Sequence, residues 1–163
     1  MDFSVSINSK SGDEYRIILS PFNLYILPEE VTGLFGDSNI EIADVTLERI
    51  KGNAPTDIGI LLKISNVIGE VFEDNQNLIL YFYCDDMHEI LRRDKGTSPQ
   101  QFRSKLFSRM FDKYKASNNI TDIVNTSIKI KSDRDIYIHL ISRECHLVYV
   151  DAIKNVIMEM ESK

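Results

Sequence analysis

The chain has 163 residues, 43% of them apolar and 27% charged, which is the size and make-up of one ordinary globular domain and excludes disordered and fibrous classes. No apolar run approaches the roughly 18 to 20 residues that a membrane-spanning helix needs, and Met1-Asp2-Phe3-Ser4 lacks the basic flank and apolar stretch of a signal peptide. A cytoplasmic protein with no membrane association is therefore expected. Cys84 and Cys145 are too few for a disulfide scaffold, and in a reducing compartment both are expected as free thiols. The net charge of −6 hides a local reversal: residues 92 to 115 carry +6, leaving −12 on everything else.

Taken in chain order, Phe3 to Ile7 alternates with period two, residues 9 to 13 are turn chemistry, and Tyr15 to Leu19 follows, which predicts a hairpin. Pro21 and Pro28 bracket a short extended segment over 22–27, and Gly33 to Asn39 reads as a loop. Ile40 to Leu47 alternates again and predicts a further strand. From 57 to 74 the spacing changes: Ile60, Leu61, Ile64, Val67, Ile68, Val71 and Phe72 fall in one helical arc, with Thr56 as cap. Gly59 and Gly69 weaken that helix by about 1 kcal/mol each relative to alanine.

A short run apolar on both faces over 77–84 predicts a central strand. Ser98-Pro99 opens a second helix over 98–116, with Ser98 as cap and Phe102, Leu106, Phe107, Met110, Phe111 and Tyr114 as its apolar face. Residues 123–142 read as a hairpin turning at Ser132-Asp133-Arg134, and a third helix closes the chain over 151–161. Strands followed by helix, strand, helix, hairpin and helix define an α+β domain over 1–163, mainly antiparallel. The strict βαβ alternation of a doubly wound nucleotide fold is missing.

Phosphate-loop and nucleophile-elbow motifs are absent: the glycines at 52, 59, 69 and 96 are isolated, and no Gly-x-Ser-x-Gly occurs. No cofactor is expected. Cys84, His88, Cys145 and His146 are zinc-ligand types, but Cys-x3-His and a bare Cys-His dipeptide do not match the common two-pair knuckles, so no metal is expected. A Cys84 nucleophile with His88 or His139 as base is chemically conceivable. A cysteine ending a buried strand is more simply an inert core residue, and His139 a surface or cross-strand one.

Asp85 and Asp86, just past the central strand, together with His88, are the densest functional-looking spot, where two adjacent carboxylates suit a divalent cation. They support an alternative, metal-dependent phosphate- or nucleotide-handling enzyme with Arg92, Arg93 or Arg103 on the phosphate. The simpler reading makes Asp85 the partner of Arg103, whose guanidinium falls within the apolar arc of its helix and must snorkel or meet a carboxylate. Arg92, Arg93, Lys105, Arg109 and Lys113 then remain as a basic surface. A non-enzymatic interaction or regulatory module is expected, docking an acidic protein or a second copy of itself; nucleic acid is not expected of a chain this acidic.

The strand Leu80-Tyr81-Phe82-Tyr83-Cys84-Asp85 and the helix Arg103-Ser104-Lys105-Leu106-Phe107-Ser108-Arg109-Met110-Phe111 resemble a family of small bacterial proteins in which a strand ending Cys-Asp precedes a helix of the form Arg-x-Arg/Lys-Leu-Phe-x-x-Trp-Phe. Met110 stands where that family has an aromatic, usually Trp, and the connection from Cys84 to Arg103 is longer. The resemblance implies a common fold and a linked Asp85–Arg103 pair, and it implies no activity.

Overall fold

The computed structural model describes residues 3–36, 38–52, 58–84, 98–131, 133 and 135–161. Their centre is one mixed sheet of six strands: β1 (Phe3–Asn8), β2 (Glu14–Pro21), β3 (Glu41–Lys51), β4 (Leu78–Cys84), β5 (Ile123–Ile130) and β6 (Ile136–Arg143), in the order β1-β2-β3-β4-β6-β5. Only β3 and β4 run parallel, pairing Glu41 with Leu78 through Asp44 with Tyr81, and every other neighbouring pair is antiparallel. The fold is α+β, as the order of periodicities in the sequence implies.

Helices cover both faces. On one lie α2 (Ile58–Asp74) and α3 (Pro99–Asn118), over a core that includes Ile17, Leu19, Val45, Leu80, Phe82 and Ile141. On the other lie α1 (Glu29–Gly36) and α4 (Leu147–Glu161), over Ile42, Ile79, Ile128, Ile138 and Leu140. β4 and β6 feed both cores, so their apolar residues run almost without interruption. Burying a side chain such as Ile64 or Ile79 contributes about 1.5 to 3 kcal/mol.

Three expectations are corrected. Residues 22–27 are not extended: Leu24–Ile26 forms a 3₁₀ turn, after which α1 runs on into residues 33–36, expected as loop. Gly33 and Gly36 hide that helix in the sequence. Its physical signals are Pro28, whose carbonyl accepts from Val31 and Thr32 at 3.0 Å, and Glu29 and Glu30, whose charges suit the helix N-terminus. Val31 and Phe35, four residues apart, bury its inner face. α4 also starts four residues earlier than expected, after a 3₁₀ turn over Glu144–His146.

α3 begins and ends where its sequence indicates. Ser98 Oγ accepts from the Gln101 N–H at 3.3 Å, Pro99 sits in the first turn, and Asn119 leaves the helix in the left-handed region at φ 53°. α2 and α3 pack together at Gly69, where an added Cβ would lie 2.2 Å from the Tyr114 ring. The glycine that weakens α2 locally therefore seats an aromatic of the neighbouring helix, and Tyr114 then donates to Glu73 at 2.9 Å. No described helix is long and apolar enough to cross a membrane.

Candidate functional site

The inner face of α3 is not purely apolar. Gln100 and Ser104 are buried beside Phe107 and Met110, and Gln100, Ser104 and Ser108, spaced four apart, all turn towards the β5–β6 hairpin. Gln100 Nε2 donates to the Asp135 carbonyl at 2.9 Å, Ser104 Oγ lies 2.8 Å from His139 Nε2, and Asn125 Nδ2 donates to Ser108 Oγ at 3.3 Å. His139 Nδ1 completes the row, 2.9 Å from Asn125 Oδ1. With the Asn125 amide donating to Ser108, its oxygen faces the imidazole, so Nδ1 carries the proton and Nε2 accepts from the Ser104 hydroxyl.

His139 is fully buried, with the Phe107 ring 5.0 Å away, and burial pushes its pKa down to about 4. The imidazole is neutral at pH 7 and bonded at both nitrogens. The order Ser104–His139–Asn125 matches the hydrogen-bond order of a nucleophile, its base and an orienting group. Both Ser104 and His139 are closed off from solvent, however, and neither apolar hollow beside α3 has Ser104 in its wall. The row holds the helix on the sheet.

Of the two expectations for His139, the surface one is corrected and the cross-strand one holds, through its bond to Asn125 on β5. Its strand, Ile136–Arg143, is buried at six consecutive positions, which leaves no exposed face for an imidazole. The signal lay on α3, whose Gln-x3-Ser-x3-Ser spacing matches the helical repeat as closely as the apolar residues do.

On the outer flank of α3, Lys105, Arg109 and Lys113 are all exposed. At this spacing they form a ridge about 12 Å long, interrupted by exposed Asp112. Arg103 is half-buried and lines a hollow with Val45, Leu47, Ile64 and Phe82. Its expected partner Asp85 lies outside the described residues, as do Asp86, His88, Arg92, Arg93 and Lys95.

Cys84 does not meet Cys145 and His146, and His88 lies outside the described residues. Cys84 pairs with Tyr137 at the start of β6, whereas Cys145 and His146 follow its far end, about 25 Å away along a strand of this length. Cys84 is 1% exposed in the apolar core, and both nitrogens of His139 are engaged elsewhere. Among the described residues no three His, Cys, Asp or Glu side chains are arranged to hold a metal ion.

At that far end a polar cleft of about 370 Å³ is walled by Glu73, Asp122, Arg143, Cys145 and His146. Arg143 is fixed there: its guanidinium lies 4.3 Å over the Phe72 ring and donates to the carbonyls of Phe72, Asn75 and Gln76 at 2.8, 3.1 and 2.8 Å. It thus closes the C-terminus of α2, whose last carbonyls have no partners within the helix. Neither a protein-family model nor a curated protein matches this chain.

Proposed function

We propose that the protein is a cytoplasmic binding module rather than an enzyme, and that the α3 flank of Lys105, Arg109 and Lys113 docks an acidic protein. The exposed ridge of three cations carries this reading. It stands on a helix whose opposite face is anchored through Gln100, Ser104 and Ser108, so the charges are presented on a fixed element. Because the chain is acidic overall, a local basic ridge also steers an acidic surface to one place on it. An acidic protein suits three cations interrupted by Asp112 better than a nucleic-acid backbone, whose binding draws on longer runs of phosphate contacts. Arg92 and Arg93 belong to the same basic stretch of the sequence.

Capture from a cell extract at low and at high salt tests it. The expected result is a salt-sensitive protein partner that is lost when Lys105, Arg109 and Lys113 are reversed to glutamate. Stabilisation of the wild type against heat by Mg²⁺, Mn²⁺ or a nucleotide, with no such partner, would favour an enzyme instead.

A further inference from the structure

β1 ends the sheet: among the described residues it pairs only with β2. A terminal strand presents backbone donors and acceptors that can template another chain, and proteins commonly guard such edges with charge or proline. The opposite edge, β5, has such a guard in Lys129, which lies over the Tyr137 ring and 3.5 Å from Asp135. Phe3-Ser4-Val5-Ser6-Ile7-Asn8 has neither charge nor proline.

Its side chains alternate. Ser4, Ser6 and Asn8 are exposed, while Phe3 and Val5 are half-buried at the rim of the core above α2 and Ile7 is buried. This pattern is its own complement. If two β1 strands lie antiparallel about a two-fold axis through Val5, Phe3 of each faces Ile7 of the other, Val5 faces Val5, and Ser4 faces Ser6. The two core faces then fall on the same side of the joined sheet, so the exposed parts of Phe3 and Val5 are covered by their counterparts. No like charges oppose one another there, although two copies of net charge −6 repel in general.

We propose that β1 docks β1 of a second copy, joining the two sheets edge to edge in a symmetric dimer. The proposal is independent of the basic flank of α3.

Sedimentation equilibrium of the full chain across a wide concentration range tests it. The wild type is expected to dimerise. Ser4→Lys with Ser6→Lys opposes like charges at two positions and is expected to weaken the dimer about tenfold or more. Ser4→Glu with Ser6→Glu is expected to do the same, and an equimolar mixture of the two variants to restore it. A wild-type monomer throughout, or a dimer that both charged variants leave intact, overturns the proposal. Amide exchange in the wild type gives a second reading that needs no variant: β1 amides protected at high concentration lose that protection on dilution, and protection independent of concentration equally overturns it.

Discussion

Ser104 and His139, thirty-five residues apart in sequence, meet through a 2.8 Å hydrogen bond in the interior and tie α3 to the β5–β6 hairpin. A buried imidazole is costly to protonate, and this one is also bonded at both nitrogens. The contact therefore connects the placement of α3, and with it the basic flank, to a titratable group in the core.

The pH dependence follows from the sign of that shift. The folded-state pKa of His139, about 4, lies below the ordinary value of 6.5, so between these values the unfolded chain binds more protons. Its contribution to stability is complete above about pH 6.5 and is lost as the pH falls towards 4, a total of about 3 kcal/mol. Urea unfolding of wild type and His139→Gln from neutral pH down to pH 4 should show a shallower pH slope in the variant. Parallel slopes would mean that His139 does not carry the effect.

Removing one partner leaves the imidazole short of a hydrogen bond. Ser104→Ala and Asn125→Ala should each cost about 1 to 3 kcal/mol. Because both act through His139, the double variant should cost less than their sum, as a double-mutant cycle by chemical denaturation would reveal.

Gly69→Ala should destabilise the protein, although alanine normally improves a helix by about 1 kcal/mol. The added Cβ displaces the Tyr114 ring and breaks its hydrogen bond to Glu73. In a Tyr114→Ala background the same change should become neutral or stabilising. Thermal melts of the four proteins decide it.

Arg143→Lys should cost about 2 kcal/mol, nearly as much as Arg143→Met. A lysine keeps the charge but lacks the planar fork that reaches three carbonyls while stacking on Phe72. Full retention of stability in the lysine variant would show that charge alone suffices.

The sequence made most of the sheet legible, because alternating runs such as Phe3 to Ile7 have few other stable uses. The α3 start was equally plain from Ser98-Pro99. α1 was hidden because its two glycines read as loop punctuation, while burial of Val31 and Phe35 outweighs their helix penalty. The row of Gln100, Ser104 and Ser108 was hidden for a different reason. A hydropathy pattern counts these side chains as surface, and only the spatial convergence of Asn125, His139 and the Asp135 carbonyl shows why they are inside. The exposed cations at 105, 109 and 113 were legible from spacing alone.

The most direct measurement is the affinity of a fluorescently labelled glutamate-rich peptide for the wild type and for the Lys105→Glu, Arg109→Glu, Lys113→Glu triple variant, at low and physiological salt. Wild-type binding is expected to weaken as salt rises, and to be lost in a triple variant whose melting temperature is nearly unchanged, since all three residues are exposed. Equal binding by the two proteins would contradict it.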